Sequence, residues 1–270
     1  MAEQSREIVA QLPYLRRYAR ALTGSQKRGD QYVRICLETI LAEPSRISAD
    51  KDLRLQLFTV FHEAWRAVHN AIGDVEGQAS QASAGGDGTR ARLEQRLAAL
   101  PSAERQVLLL VSLEGFSIDQ TATILGMAPA EVEAKLTQAR ADIMRQEPTK
   151  VLIIEDEPLI AMDIAQIVQD LGHTVCGTAA RKDEALTVAR ETEPGLVLAD
   201  IQLKEGDSGI EAVQEILQSI DVPVIFVTGF PERLLTGEGL EPAFLVTKPF
   251  DAETLKTAIG QALSVQHVPA

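Results

Sequence analysis

Residues 151–156 read Val151-Leu152-Ile153-Ile154-Glu155-Asp156, four apolar residues followed at once by two acidic ones. Three further apolar runs, at residues 195–199, 222–227 and 243–247, also end in a polar anchor. Short apolar runs that end in charge are typical of buried parallel strands, and open doubly wound sheets bind ligands at the carboxyl ends of such strands. The pattern therefore predicts an α/β half with functional side chains along one edge of its sheet.

The anchors at this predicted edge are Glu155, Asp156, Asp200, Thr228 and Lys248. Three carboxylates brought together would repel one another unless a cation neutralised them, and a purely oxygen ligand set favours Mg²⁺. A threonine and a lysine opposite them would complete a cage for a phosphoryl group. For any one acidic residue, a solvated loop or a strand-end cap is an equally good explanation, but the full set together disfavours it.

The order and spacing of these anchors resemble the receiver domain of bacterial response regulators over residues 149–265. The resemblance implies a flavodoxin-like fold with a five-stranded parallel sheet of order 2-1-3-4-5. It also implies that a sensor histidine kinase or phosphotransferase delivers a phosphoryl group to Asp200. The ligands of Mg²⁺ would then be Glu155, Asp156, Asp200 and the backbone carbonyl of Gln202.

The same resemblance implies that Thr228 and Lys248 bind phosphoryl oxygens and that the bond before Pro249 is cis, a form that proline makes accessible. One departure concerns the aromatic residue that many receivers carry three positions before the lysine, because Leu245 stands there. Residues 226–231 instead resemble a divergent receiver subgroup. We therefore expect the signal to pass through Thr228 and the segment after it.

The N-terminal half is predicted to be all-α, because apolar residues recur there at spacings of three and four. We expect one helical block over residues 1–72, a flexible Gly/Ser/Ala/Gln-rich linker over 73–89, a second block over 90–147 and a short tail over 266–270. The chain has no run of 18 apolar residues and no apolar signal segment near Met1. These features predict a cytoplasmic protein that is not inserted in a membrane.

The second block carries the layout of a helix-turn-helix. Ser117 is suited to cap a short helix, Gly126 to end it and Pro129 to begin the next one. This stretch resembles region 4 of the extracytoplasmic-function sigma factors. Residues 13–70 resemble their region 2 more faintly, through the sequences at 20–24 and 30–33.

The chemistry that reads DNA is missing from this sigma-like half. The second helix begins with Ala130, Glu131, Glu133 and Ala134, where basic and amide side chains would have to meet phosphates and bases. Residues 149–270 carry 8 Lys and Arg against 20 Asp and Glu, which also argues against nucleic acid. The aromatic residues Phe58, Phe61 and Trp65, at helical spacing, are predicted to be core rather than a base-stacking platform.

A sigma-like half without DNA chemistry, placed ahead of a receiver, resembles the PhyR-type anti-anti-sigma response regulators. That resemblance implies that the sigma-like part captures a small helical anti-sigma factor, NepR-like, and so frees the true sigma factor, with no direct DNA binding. Two alternatives stay open from the sequence. One is a DNA-binding response regulator or a genuine sigma factor. The other is an enzyme, which the lack of a recognisable catalytic cluster in residues 1–148 disfavours.

Overall fold

The computed structural model describes residues 2–48, 50–82, 102–203, 208–231, 234 and 244–266. The chain forms two compact units. Unit 1 comprises Met1–Val111 and Phe116–Lys135, and unit 2 comprises Ser112–Gly115 and Leu136–Ala270. Each unit buries its own apolar core.

Unit 1 is helical throughout its described residues, as the apolar spacing predicts. Its elements are α1 (Ala2–Thr23), α2 (Gln26–Ala42), a 3₁₀ turn (Pro44–Arg46), α3 (Leu53–Ala82), α4 (Ala103–Leu108), a π-helical turn (Leu109–Leu113, which ends in unit 2), α5 (Ile118–Leu125) and the first half of α6 (Pro129–Ile143).

An aromatic cluster forms the centre of unit 1. Phe58 lies with its ring centroid 5.1 Å from that of Tyr18 and 4.9 Å from that of Phe116. Phe61 and Trp65 are buried beside it. The prediction that these aromatic residues are core is confirmed, and none of Phe58, Phe61 and Trp65 is available to stack on a base.

Three arginines tie the helices of unit 1 together. Arg20 is fully buried and donates two hydrogen bonds of 2.8 Å to the carboxylate of Asp30. Arg105, before the π-helical turn, donates to the carbonyl of Ala21 at 2.7 Å. Arg66 on α3 donates to the carbonyl of Leu125 at 3.1 Å. Since α4 and α5 belong to the second predicted block, the bonds of Arg105 and Arg66 hold the two blocks together.

The helix-turn-helix is confirmed, and its local causes are visible. Ser117 accepts a hydrogen bond from the backbone of Gln120, whose side chain bonds back to Ser117, so α5 starts in a capping box. Gly126 ends α5 with φ at 62°, a left-handed conformation that glycine adopts without steric cost. Helix α6 then begins at Pro129, the favoured place for proline.

Unit 2 is built on the predicted five-stranded parallel sheet, in the order β2-β1-β3-β4-β5. The strands are β1 (Lys150–Ile154), β2 (Thr174–Ala179), β3 (Leu196–Ala199), β4 (Val224–Thr228) and β5 (Phe244–Thr247). The helices are α7 (Pro158–Asp170), α8 (Lys182–Thr192), α9 (Gly209–Leu217) and α10 (Ala252–Gln266). The order 2-1-3-4-5 confirms the expected doubly wound fold.

Within unit 1 the structure differs from the expected domain boundaries at the start of the linker. Helix α3 continues to Ala82, so the first ten residues of the expected linker 73–89 are helical. Alanine, glutamine and glutamate propagate a helix that has already formed, and two glycines cost only about 1 kcal/mol each. Residues 83–101, with the rest of that linker, lie outside the described residues. Helix α1 also runs straight through Pro13.

The second helical block does not form a separate unit. Ser112–Gly115 and the chain from Leu136 onward pack with the sheet of unit 2. Ile143 lies against Gly260 of α10, where an added Cβ would come within 2.5 Å of it. The helical period of a segment shows which of its faces is apolar but not which partner covers that face, so the sequence placed these residues with their neighbours in the chain.

Replacing Gly29 with alanine should destabilise unit 1. An added Cβ would lie 2.8 Å from the backbone nitrogen and Cγ of Arg20, so α1 and α2 would have to separate. Overpacking of this kind costs roughly 1–3 kcal/mol, against a gain of at most about 1 kcal/mol in helix propensity. Urea denaturation measures the difference. Gln31→Ala, exposed on the same helix, is the control, and a more stable Gly29→Ala protein would contradict the close approach.

Candidate functional site

Strand register brings the acidic anchors together. In the pairing of β1 with β3, Ile154 lies opposite Ala199, so Glu155 and Asp200 leave the sheet side by side. The backbone of Asp200 donates to the carbonyl of Ile154 at 2.8 Å, which extends the ladder one residue past the strand. Parallel strands thus deliver their next residues to one edge of the sheet, as the sequence predicts.

Three carboxylates meet at this edge. One oxygen each of Glu155, Asp156 and Asp200 lies within 4.8 Å of the others. Glu155 and Asp200 are only 2% and 8% exposed, whereas Asp156 is partly open to solvent. Burial raises the pKa of Glu155, and the hydrogen bond and positive charge of Lys248 only partly offset it.

Lys248 supplies the opposite charge. Its ammonium lies 2.7 Å from Oε2 of Glu155 and 2.7 Å from Oδ2 of Asp200. Burial on its own would lower the pKa of Lys248, but the hydrogen bonds and charges of the two carboxylates outweigh burial and raise it. The ammonium therefore stays charged at neutral pH and bridges the two buried carboxylates.

Strands β4 and β5 position the polar residues opposite the acids. Thr228 pairs with Thr247, and the backbone of Lys248 donates to the carbonyl of Thr228 at 2.8 Å. The buried hydroxyl of Thr228 accepts a hydrogen bond of 3.2 Å from the backbone of Phe230. The peptide bond between Lys248 and Pro249 is cis.

The segment after β3 folds back on the site. The backbone of Gln202 donates to Oδ1 of Asp200 at 3.3 Å, and Gln202 forms an isolated antiparallel bridge with Ser208. Ser208 caps α9, which starts at once with Gly209. Residues 204–207 lie outside the described residues.

The sequence reasoning missed Gly209. A Cβ on this residue would lie 1.7 Å from the backbone carbonyl oxygen of Asp200, so only glycine lets α9 start this close to the acidic cluster. The signal was a serine followed by glycine at the start of an amphipathic stretch. That signal indicates a helix start but not what the helix approaches.

Models of known protein families match both halves of the chain. The response regulator receiver domain matches residues 151–260. The sigma2 domain of PhyR matches residues 8–62, and the sigma-like domain of the response regulator PhyR matches residues 97–146.

Relatives with both halves are found over nearly full length. The phyllosphere-induced regulator PhyR of Methylorubrum extorquens is 44% identical over 260 residues, 96% of this chain and 94% of the relative. The chain belongs to the PhyR family of response regulators.

Solved structures of PhyR proteins share the fold. The crystal structure of PhyR from Brucella abortus is 44% identical, covers 97% of this chain and 95% of its own, and has a TM-score of 0.80. The anti-anti-sigma factor PhyR from Bartonella quintana is 42% identical, with coverages of 97% and 96% and a TM-score of 0.80. That B. quintana protein has also been crystallised in complex with the anti-sigma factor NepR.

The second helix of the helix-turn-helix has no spare positive charge among its described basic residues. Lys135 pairs with Glu104 at 3.0 Å, and Arg140 pairs with Glu253 at 3.5 Å. Arg145, just past the helix, pairs with an aspartate of α6 at 3.5 Å. At the start of α6, Ala130, Glu131, Glu133 and Ala134 are exposed, so this part of the helix offers two glutamates to solvent. Contact with DNA phosphates needs unpaired cations, which this helix lacks.

No helix in the described part of the chain combines the length and the apolar character that crossing a membrane demands.

Replacing Lys248 with methionine should destabilise the protein at neutral pH, because two buried carboxylates would lose the cation between them. We expect a loss of about 3 kcal/mol in unfolding free energy at pH 7 without divalent cations. The loss should shrink as the pH falls. A carboxyl whose pKa is raised in the folded state favours folding when protonated and disfavours it as the pH rises past that pKa.

Urea denaturation at pH 7 and at about pH 5 measures both effects. Lys182→Met is the matched control, because the ion pairs of Lys182 with Glu211 and Glu215 lie at the surface. A loss of equal size at both pH values would contradict the ionic explanation.

Proposed function

We propose that this PhyR-family chain is a phosphorylation-activated anti-anti-sigma response regulator. The observation that carries the proposal is the ammonium of Lys248 held 2.7 Å from both Glu155 and Asp200 at the carboxyl edge of a receiver sheet. The family relationship supports the output, since the B. quintana relative is an anti-anti-sigma factor. The chain takes up a phosphoryl group as a signal and does not turn over an external substrate as its output.

Asp200 is the proposed phosphoacceptor. One of its carboxylate oxygens forms the new bond to phosphorus while the bond from phosphorus to the donor breaks, and the donor leaves with that electron pair. A sensor histidine kinase or a phosphotransferase is the proposed donor, because receivers are substrates of such proteins. We therefore propose a cytoplasmic location for the protein, where a kinase would deliver the phosphoryl group and where anti-sigma factors compete for sigma factors.

The acidic cluster fits Mg²⁺. Its donor set is entirely carboxylate oxygen from Glu155, Asp156 and Asp200, brought within 4.8 Å, and hard divalent cations prefer such ligands. The backbone carbonyl of Gln202, two residues past Asp200, is the proposed fourth protein ligand. The ion, when bound, neutralises charge that accumulates on the transferring phosphoryl oxygens.

The remaining residues hold the transferred group. Lys248 is already bonded to Asp200, so it is placed to pair with a phosphoryl oxygen after exchanging its contact with Glu155. The hydroxyl of Thr228, which accepts from Phe230 in this structure, would turn to donate to another phosphoryl oxygen. Position 245 holds a buried leucine, so the aromatic switch of many receivers is missing here. Thr228 is therefore the proposed origin of the output signal.

The proposed partner is a small helical anti-sigma factor of the NepR kind, captured by the sigma-like helices in place of a true sigma factor. The ion pairs of α6 favour this protein partner over DNA. The two sigma-like blocks already pack on each other in unit 1, through Arg105 and Arg66. Partner binding therefore acts on a preassembled pair of blocks rather than gathering two free ones.

Asp200→Ala should abolish phosphorylation by a small phosphodonor, because the variant lacks the carboxylate that is proposed to take up the phosphoryl group. Intact-protein mass after treatment with acetyl phosphate and Mg²⁺ detects the adduct. Asp170→Ala, an exposed aspartate in the same unit, should keep the full yield. An adduct of undiminished yield on Asp200→Ala would remove the assignment. Glu155→Ala and Asp156→Ala should instead slow the reaction and raise the Mg²⁺ concentration it requires.

Phosphorylation should strengthen binding of a NepR-like anti-sigma factor to the full-length chain. A switch from about 1% to 99% of the binding-competent state raises the apparent affinity about 100-fold and requires roughly 5.5 kcal/mol of differential stabilisation. Calorimetry with and without phosphodonor measures the ratio. The full chain is the appropriate sample, since a fragment ending at residue 148 would lose the packing of residues 112–115 and 136–148. Equal affinities would rule out control of anti-sigma binding by phosphorylation.

Thr228→Val should separate phosphorylation from output. The variant keeps the shape of the side chain but cannot donate to a phosphoryl oxygen. We expect a normal mass adduct on Asp200 and little gain in anti-sigma affinity. Thr178→Val, an exposed threonine on β2, is the control. A full phosphorylation-driven gain in the Thr228→Val protein would show that the signal takes another route.

A further inference from the structure

One face of α10 is covered by segments from much earlier in the chain, all within unit 2. Thr254 donates to the carbonyl of Ser112 at 2.9 Å, and Ile143 packs on Gly260. Gln146 donates to the carbonyl of Gly260 and to the hydroxyl of Ser264, both at 2.7 Å. At 100° per residue, Thr254, Gly260 and Ser264 fall within an arc of about 120°, so they share one side of α10.

The hydroxyl of Thr254 lies between two acceptors. Besides the carbonyl oxygen of Ser112 at 2.9 Å, it lies 3.0 Å from Oδ2 of Asp251. A threonine hydroxyl carries one proton, and both neighbouring atoms can only accept. Thr254 can therefore donate to one of them at a time. This makes the hydroxyl a two-position element that needs no backbone change at Thr254 itself.

The first acceptor belongs to an unusual stretch of backbone. Ser112 lies in the π-helical turn Leu109–Leu113, and the backbone of Phe116 reaches back six residues to the carbonyl of Leu110 at 3.0 Å. The buried hydroxyl of Ser112 has no hydrogen-bond partner among the described residues. Such π turns are uncommon and occur often at functional sites. The bond from Thr254 is thus one of the contacts that keep this turn in place.

The second acceptor is linked to the acidic cluster. Asp251 follows Lys248 by three residues, and its Oδ1 caps α10 by accepting from the backbone of Thr254 at 2.7 Å. Lys248 is bonded to both Glu155 and Asp200. A phosphoryl group on Asp200 must draw the ammonium away from at least one of these carboxylates. The short segment from Lys248 to Asp251 then has to adjust.

We propose that the hydroxyl of Thr254 is a hydrogen-bond switch between the phosphoacceptor site and the π-helical turn. This inference rests on the proposed phosphorylation of Asp200. In the unphosphorylated chain Thr254 donates to Ser112 and holds the turn. After phosphorylation it donates to Asp251, and the carbonyl of Ser112 is released.

Release at Ser112 has a geometric consequence for the sigma-like part. Conversion of the π turn to α-helical hydrogen bonding would rotate the residues beyond it by about 100° relative to those before it. Phe116 lies just beyond the turn, with its ring 4.9 Å from Phe58 and under the guanidinium of Arg54 at 4.5 Å. A change of register in the turn therefore disturbs an aromatic contact at the centre of unit 1.

Amide hydrogen exchange on the full-length protein tests the switch without any partner. In wild type without phosphodonor, amides 112–116 should exchange about fivefold more slowly than after treatment with acetyl phosphate and Mg²⁺, the factor expected for one hydrogen bond. Thr254→Val, which lacks the hydroxyl, should exchange rapidly from the start. Thr254→Ser, which keeps it, should match wild type. Thr187→Val on α8, whose hydroxyl bonds only within its own helix, is the matched control.

Three results would overturn the inference. One is a Thr254→Val protein as protected as wild type, and another is a Thr254→Ser protein as unprotected as Thr254→Val, since the hydroxyl would then be irrelevant. The third is exchange at 112–116 that stays unchanged although mass shows full phosphorylation of Asp200. A missing adduct on Asp200 instead overturns the proposed function, and the switch with it, so the two failures are distinguishable.

Discussion

The ammonium of Lys248 between Glu155 and Asp200 is the interaction on which the receiver unit depends. Two buried carboxylates so close together are tolerable only with a cation between them. The protein supplies that cation from Lys248, the residue that follows the edge strand β5. The pairings of β1, β3, β4 and β5 must all be in register for the contact to form. The same charged residues are the ones that we propose bind a divalent cation and a phosphoryl group, so stability and the proposed function depend on one set of residues.

In the sigma-like unit, several basic side chains form hydrogen bonds and ion pairs that stabilise the fold. Arg20 is buried against Asp30, Arg105 and Arg66 satisfy helix carbonyls, and Lys135 pairs with a glutamate. A DNA-binding protein keeps such groups free for phosphates, because each contact replaces a condensed counterion. Here the helical scaffold of a sigma factor is retained while its electrostatics suit a protein partner. These ion pairs are the physical reason why we favour a protein partner over DNA.

The division into units separates neighbouring segments of the second sigma-like block. The segments 112–115 and 136–146 are parts of the second sigma-like block by sequence, yet they pack on α10. They are joined directly to residues on either side that belong to unit 1. The π-helical turn lies at one such junction.

The order of the five strands was expected only from the resemblance to receiver domains. The sequence pattern itself determined four of the strands, the helix-turn-helix and the set of residues at the sheet edge. These features follow from local causes: apolar period, capping residues, and the rule that parallel strands end at one edge. Tertiary structure alone decided that Gly209 lies against Asp200, that α3 extends into the expected linker, and that Ser112 meets Thr254. Residues 142 positions apart share no local pattern, so only packing brings their hydrogen-bonding atoms together.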